Sequence, residues 1–379
     1  MKKVFLIFVA GDKNHNKVYN MRENADGSTF TIEYGRVGNS LTKECYPLPN
    51  WNKKYNEKIR KGYKDVTDLY KEGGDKDISF SNISPEVASL FQTLMKYTSD
   101  SVKTNYNFNT SGVTQAQIDA AQKALNQLAT ANSAIYRQTY AELLFSIFPR
   151  KMHKVADYIP TIHWDDVRLN KFLTSEQDIL ESLKGQVISN TSGSQFNTLD
   201  YNVEVRVAHA DFKYLIENVW NIKNYKEIYE VCNVKTVKPF VEWTRNHPNK
   251  QTKELLHGSR PQNILSIFKS GLMVRPTNGG YNGSAYGDGI YHADKLQKSL
   301  GYCGYQNDKF IMIQQVHTGK EYVYVGRNKY DKPSNFFSWE GIQKEGYDSV
   351  FAKGGNDLLN NEFIVYKPEQ TTIKYLIHL

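Results

Sequence analysis

The stretch Leu255-Leu256-His257-Gly258-Ser259-Arg260 decides how the C-terminal half of this 379-residue chain is read. A His and a Ser flank a Gly directly ahead of a helix signal. Ser259 reads as an N-cap, and Pro261 falls near the first turn. Ile264, Leu265, Ile267 and Phe268 supply an apolar face, and Gly271 ends the run. The pattern predicts a turn that exposes backbone groups beside polar side chains, as a small-molecule site needs. Alone, a His-Gly-Ser turn is an ordinary surface feature. Two later stretches give it weight: Gly287-Asp288-Gly289-Ile290-Tyr291-His292-Ala293-Asp294 and Asn361-Glu362-Phe363-Ile364-Val365-Tyr366. In the first, residues 290–293 read as extended, and Asp294 caps a helix over 295–303. Ser299 and Tyr302 lie three apart and so share a face, opposite Tyr291. In the second, Glu362 stands at the start of a strand. In isolation it reads equally as an exposed strand-edge carboxylate.

Around these stretches, 203–207 alternates as a strand, 211–220 is helix-like, and 231–237 continues in an extended style. Residues 310–316 and 321–325 read as strands joined through Thr318-Gly319-Lys320, and 347–352 reads as another. Residues 362–366 and 372–379 read as a last strand pair around Lys367-Pro368-Glu369-Gln370.

At the other end, 4–10, 17–21 and 29–34 read as strands, with a turn at Asn24-Ala25-Asp26-Gly27. The glycines of Tyr34-Gly35-Arg36-Val37-Gly38 suit a bend that presents Arg36 outward. Residues 52–61 predict a helix carrying Lys53, Lys54, Lys58, Arg60 and Lys61, interleaved with Trp51 and Tyr55, and 62–66 a return strand. Basic groups neutralise phosphates and aromatics stack on bases. The same residues also fit a solvated helix face with Trp51 and Tyr55 packed on the sheet. Residues 71–77 are a polar, glycine-rich linker. Four amphipathic helices follow: one opened by Ser84-Pro85, then 115–128 capped by Thr114, 134–148 stopped by Pro149, and 173–187. Their stripes, such as Ile118, Ala121, Leu125 and Leu128, belong to a bundle core without a catalytic group. Residues 189–194 read as a second linker.

The composition sets outer bounds. The net charge of +8 suits an anionic partner, and no apolar run is long enough to span a bilayer. The apolar start at 4–10 reads as a strand as well as a leader would fit it. The three cysteines, Cys45, Cys232 and Cys303, are far apart in sequence. They form no Cys-x-x-Cys zinc pattern and fit a reducing compartment.

From about Val203 to Leu379 the three quoted stretches resemble, in order and spacing, the catalytic domain of poly(ADP-ribose) polymerases. The resemblance implies a His-Tyr-Glu triad of His257, Tyr291 and Glu362, with NAD as substrate and no metal. It places the nicotinamide carboxamide on the Gly258 backbone and the Ser299 hydroxyl, and the pyridinium between Tyr302 and Tyr291. It places a ribose hydroxyl on His257 and the adenosine end near Ser259. Where relatives carry an Arg after Gly-Leu this chain has Met273, and Arg275 is the candidate substitute. Lys298 matches a basic residue on the acceptor side, beside the alternative of a solvated helix lysine. Glu362 is associated in the family with chain elongation.

Tyr34-Gly35-Arg36-Val37-Gly38 and Lys61-Gly62-Tyr63-Lys64 resemble the DNA-break-sensing WGR domain, with Tyr34 in place of its Trp. Residues 115–128 and Leu144-Phe145-Ser146-Ile147-Phe148-Pro149 resemble the family's helical regulatory domain. The expected fold is therefore multidomain α+β. Residues 1–75 would form a small antiparallel WGR-like DNA-binding domain and 76–190 an all-α regulatory bundle. Residues 191–379 would form a mixed α+β ADP-ribosyltransferase fold on antiparallel sheets. The expected function is a polymerase activated by DNA strand breaks, with Tyr34, Arg36, Trp51, Lys53 and Lys54 toward DNA. It would act on acceptor proteins including itself, without membrane or zinc. It would work inside the cell, in the nucleus if eukaryotic and in the cytoplasm if bacterial or viral. A DNA-end-binding scaffold with weak or no transferase activity and a mono-ADP-ribosyltransferase stay open as alternatives.

Overall fold

The computed structural model describes residues 1–70, 79–80, 82–106, 113–160, 164–191, 196–274, 285–325, 332, 335–355 and 358–379. By contacts the chain divides into two compact units. One comprises Met1–Lys76 and Ser99–Asn190, the other Asp77–Thr98 and Thr191–Leu379.

The first unit begins with strands β1 (Lys3–Ala10), β2 (His15–Glu23), β3 (Thr29–Arg36) and β4 (Thr42–Pro47), helix α1 (Trp51–Arg60) and strand β5 (Lys64–Asp65). They form an antiparallel sheet in the order β4-β3-β2-β1-β5. Leu6, Tyr19, Met21, Phe30 and Ile32 line one face, and α1 closes it with Trp51. β4 was not legible because Thr42-Lys43-Glu44-Cys45 lacks apolar alternation. It is an exposed edge strand, held by its register to β3 (Phe30 opposite Tyr46).

Four helices follow: α2 (Pro85–Asn105), α3 (Gln115–Thr130), α4 (Ala134–Ile147) and α5 (Asp166–Thr191). The division between units falls within α2, between Thr98 and Ser99. The stretch 71–77, expected as a linker, lies outside the described residues. A capping box of Thr114 with Gln117 opens α3, and the Ser133 hydroxyl accepts from Tyr136 N to open α4. The α3 stripe of Ile118, Ala121, Leu125 and Leu128 is buried. α5 is longer than its apolar pattern and continues through 189–191, where a linker was expected. Within the first unit Arg150 and Glu176 form a buried ion pair at 3.2 Å. Burial raises the Glu176 pKa, against the pull of Arg150. Asn16 Nδ2 donates to Arg150 O (3.0 Å), and Gly11 N donates to Glu142 Oε1 (2.9 Å). These bonds fasten the β1–β2 loop and the start of β2 to the helical segment.

In the second unit the elements after α2 are β6 (Val203–Val207), α6 (Ala210–Trp220), β7 (Glu227–Asn233), α7 (Val234–Asn246), β8 (Thr252–Ser259) and α8 (Ile264–Ser270). Then come β9 (Ile290–His292), α9 (Leu296–Leu300), β10 (Phe310–His317), β11 (Glu321–Tyr324) and α10 (Trp339–Lys344). β12 (Ser349–Ala352), β13 (Glu362–Val365) and β14 (Thr371–His378) complete the chain. This is a mixed α+β unit on two sheets, ordered β6-β7-β14-β10-β8 and β11-β12-β13-β9. All pairings are antiparallel except β11 with β12. Leu256, Ile228, Ile311, Ile313 and Ile377 fill the core beside the larger sheet, and Tyr286, Ile342, Val350 and Ile364 that beside the smaller.

Two expectations are corrected here. β13 and β14 are not a pair, because they belong to different sheets. The corner before β14 is held by buried Gln370. Its Oε1 accepts from Tyr366 N and Lys367 N, and its Nε2 donates to Asp348 O and His317 O. Residues 234–237 are helical, not extended: buried Asn233 ends β7 and caps α7, its Oδ1 accepting from Lys235 N at 3.0 Å. No helix among the described residues is long and apolar enough to cross a membrane.

Candidate active site

His257-Gly258-Ser259 lies on a strand rather than a turn. Thr252–Ser259 runs in unbroken register with β10, with His257 opposite Met312 and Gly258 opposite Ile311. Ser259 is therefore the last strand residue and caps no helix. The following 3-10 turn starts after Arg260, and α8 follows Asn263 without a side-chain cap. Gly271 does end that helix, at φ 74°.

The outer edge of β8 meets the other sheet. Leu256 N donates to Ala293 O (2.8 Å) and Ala293 N to Leu256 O (2.9 Å), one antiparallel bridge just past β9. β9 in turn pairs with β13, Tyr291 opposite Ile364. The three quoted stretches are thus neighbours at the joint of the two sheets. His257 Nδ1 lies 2.9 Å from Tyr291 O. A carbonyl oxygen only accepts, so Nδ1 carries a proton and donates to it.

Gly258 is where backbone meets backbone. A Cβ built there would stand 1.9 Å from Ser299 O and 2.7 Å from Ser299 C. Only glycine lets β8 lie this close to α9, and this contact sets Ser299, itself 2% exposed, beside the Gly258 peptide. Ser259 is also buried. The expected helix over 295–303 is shorter, at Leu296–Leu300. Tyr302 follows it in a turn, its N–H on Ser299 O (3.1 Å) and its side chain half-exposed. Asp294 does not cap α9; its Oδ2 accepts from Asn361 Nδ2 at 2.6 Å.

Tyr291 is fixed at both ends of its hydroxyl, which donates to Gly287 O and accepts from Tyr286 N, each at 2.9 Å. Burial first, and then the neighbouring Tyr366, hold its pKa well above the ordinary phenol value. With the hydroxyl committed, the ring face is what Tyr291 offers. Glu362 opens β13 as the sequence suggested, but it is 4% exposed rather than a surface carboxylate. Its Oε1 pairs with Lys298 Nζ. Burial opposes the Lys298 charge, yet the hydrogen bond and charge of Glu362 outweigh it and raise the lysine's pKa. The ammonium also lies 5.7 Å from the Tyr302 ring centroid.

The sequence reading passed over His292. It is buried, its ring 5.9 Å from that of His257, and its Nε2 lies 3.3 Å from Thr371 Oγ1. Burial, then the nearby His257, lowers its pKa to about 3, so it is uncharged. A polar residue on a short strand between two site residues was the only available signal. Met273 is exposed, and Arg275 lies outside the described residues. No group of three or more His, Cys, Asp or Glu among the described residues is placed to hold a metal.

The DNA-facing candidates separate. Trp51 is 4% exposed and packs edge-on to Phe30 at 5.1 Å, so it is a core residue with no face for a base. Arg36 is not turned outward. It donates to Met152 O (3.2 Å), His153 O (2.8 Å), Asn14 O (3.0 Å) and Asn14 Oδ1 (3.2 Å), because it ends β3 beside the loop after α4. Tyr34 packs near Tyr19 and donates to Glu44 at 2.8 Å. Lys53 is exposed, and Lys54 Nζ sits 3.9 Å over the Tyr46 ring.

Residues 196–379 match the sequence profile of the poly(ADP-ribose) polymerase catalytic domain. The chain is 35% identical over 170 residues to poly [ADP-ribose] polymerase-like 100L of Invertebrate iridescent virus 6, covering 45% of this chain and 93% of that protein. It is 28% identical over 246 residues to protein 101L of the same virus, covering 62% and 97%. Poly [ADP-ribose] polymerase 1 of Oryza sativa subsp. japonica is 24% identical over 352 residues, which is 80% of this chain and 36% of that longer protein. The chain belongs to the poly(ADP-ribose) polymerase family. It is an NAD-consuming ADP-ribosyltransferase.

Proposed function

We propose that this enzyme builds poly(ADP-ribose) on acceptor proteins, itself included, and that DNA strand breaks switch it on. The observation that carries the catalytic part is the meeting of His257, Tyr291 and the buried Glu362–Lys298 pair at the joint of the two sheets.

In the reaction the bond between nicotinamide and ribose C1′ breaks, and its electron pair leaves with nicotinamide. An acceptor oxygen bonds to C1′ and gives up its proton. Positive charge develops on the ribose meanwhile, as in glycoside cleavage. Glu362 supplies a buried negative charge beside that centre and takes a hydrogen bond from the ribose 2′-hydroxyl or the acceptor hydroxyl. Lys298 pairs with the carboxylate and marks the acceptor side. His257 hydrogen-bonds a ribose hydroxyl and orients the dinucleotide. The Gly258 backbone and the Ser299 hydroxyl hold the carboxamide, which fits their forced proximity. The Tyr291 and Tyr302 rings flank the pyridinium. Ser259 and Arg275 serve the adenosine end.

For regulation, residues 1–75 act as the DNA-binding domain and 76–190 as the brake on residues 191–379. Arg36 supports this reading because it bonds the sheet to the loop after α4. A DNA contact that moved Arg36 would act on the helical segment directly. Tyr34, Lys53 and Lys54 remain as DNA contacts, while Trp51 supports α1 from within. The test is nicotinamide release and product length, with and without a nicked duplex. Equal turnover in both conditions would refute break activation, and product limited to single ADP-ribose units would refute polymer formation.

A further inference from the structure

The register of β9 with β13, Phe363 opposite His292 and Ile364 opposite Tyr291, carries past the end of the ladder to set Asn361 opposite Asp294. There the side chains take over from the backbone. Asn361 Nδ2 donates to Asp294 Oδ2 at 2.6 Å, and Asn361 Oδ1 accepts from Gly354 N at 2.8 Å. Both ends of the amide are committed, and the Gly354 N–H requires the oxygen on its side, so the amide has one orientation. The other carboxylate oxygen, Asp294 Oδ1, is buried and has no hydrogen-bond partner among the described residues.

The position of this bond gives it meaning. Asn361 directly precedes Glu362. Asp294 directly follows Ala293, whose backbone bridges to Leu256, and it leads into α9, which carries Lys298. Lys298 closes the ring onto Glu362. Two non-covalent links, Asp294 to Asn361 and Lys298 to Glu362, thus join the same two segments on either side of one turn of chain. If the first link opens, β13 and α9 are free to part at the point where the second must be held.

We propose that Asn361 and Asp294 form a positioning clamp that fixes Glu362 against Lys298 for the transfer step. The proposal rests on the role assigned to Glu362 above. The clamp touches no substrate; it acts through the carboxylate next to it.

The test compares Asn361→Asp, Asp294→Asn, the double exchange and Glu362→Gln in the full chain, reading kcat and KM for NAD by nicotinamide release together with Tm. Asn361→Asp sets two carboxylates where a hydrogen bond stood. A misplacement of about 1 Å at a reacting group costs on the order of 10²-fold. We expect kcat to fall by that order with KM for NAD changed less than about threefold. Asp294→Asn keeps an oxygen to accept the bond and should lose roughly tenfold. The double exchange restores the pair in reverse, with an amide at 294 donating to a carboxylate at 361 that still accepts from Gly354 N. It should recover kcat to within about tenfold of the original. If Asn361→Asp does not fold, Asp294→Asn decides, since full kcat in that folded variant would overturn the clamp. Full kcat in the folded 361 and 294 variants while Glu362→Gln is inactive would overturn the clamp and leave the role of Glu362 standing. A folded double exchange no better than Asn361→Asp would overturn it too. Full activity of Glu362→Gln would remove the reading beneath it.

Discussion

Replacing Gly258 by Ala puts one methyl group into the contact on which the site is built. The added Cβ would meet Ser299 O at 1.9 Å, whereas side-chain Cβ atoms essentially never come within 3.0 Å of another heavy atom. The difference, 3.0 − 1.9 = 1.1 Å, is the least by which β8 and α9 must separate. Neither side yields cheaply. The obstacle is backbone, and β8 is bonded to β10 on its other edge through Ser259. Overpacking of this kind costs about 1–3 kcal/mol. At 2–4 °C per kcal/mol for a unit of this size, the Tm should fall by roughly 2–12 °C without loss of the fold. Catalysis should suffer more, because the displaced elements carry His257 on one side and Ser299 and Lys298 on the other. A shift of about 1 Å at reacting groups costs on the order of 10²-fold in kcat/KM. Gly301→Ala is the control: a Cβ there meets only Lys298 O, at 3.4 Å, and should change little. Nicotinamide release at several NAD concentrations, with a thermal melt of each variant, checks both. Gly258→Ala with the original kcat/KM and Tm would refute the reasoning.

Three further outcomes follow from the same contacts. Tyr291→Phe removes the bonds to Gly287 O and Tyr286 N, which should cost about 1–3 kcal/mol in a denaturant titration while KM for NAD rises far less than in Tyr291→Ala. Arg36→Ala should reduce stimulation by nicked DNA and leave DNA-independent turnover in place; an undiminished ratio of the two rates would detach Arg36 from signalling. His292 has a folded pKa near 3 against about 6.5 when unfolded, so its contribution to stability is present above pH 6.5 and is lost as pH falls toward 3. His292→Phe should flatten the fall of Tm across that window, and an unchanged slope would show that the acid lability lies elsewhere.

How much of this was legible beforehand depends on how local the signal is. The helices announced themselves through caps and periodic stripes. Thr114 with Gln117 and the run Ile118, Ala121, Leu125, Leu128 are complete within one segment. The pairing of strands was not legible, because Thr371–His378 carries the same apolar pattern whether it pairs with β13 or with β10 and β7. The partner is chosen by buried Gln370 and by edges already occupied, both properties of the assembled sheets. His257, Tyr291 and Glu362 were found as residue types in order, yet their surroundings were misjudged. A strand that follows a neighbour closely through Gly258 looks, in sequence, like a turn. A buried carboxylate looks like an edge residue until its lysine is seen. Trp51 and Arg36 show the same limit. An aromatic among lysines suggests a base-stacking surface, and only the sheet beneath α1 claims the indole for the core. Asp294 was read only as a helix cap and its bond to Asn361 went unseen, since a hydrogen bond across 67 positions has no sequence signature.

The measurement closest to the central claim is nicotinamide release from NAD by the purified chain and by Glu362→Gln, each with and without a nicked DNA duplex, with labelled products resolved by length. DNA-stimulated turnover and long product are expected from the original chain. A fall on the order of 10²–10³-fold is expected in Glu362→Gln, with short product from a protein that still folds. Equal turnover and equal product length in the two proteins would contradict the placement of the transfer chemistry at the joint of the two sheets.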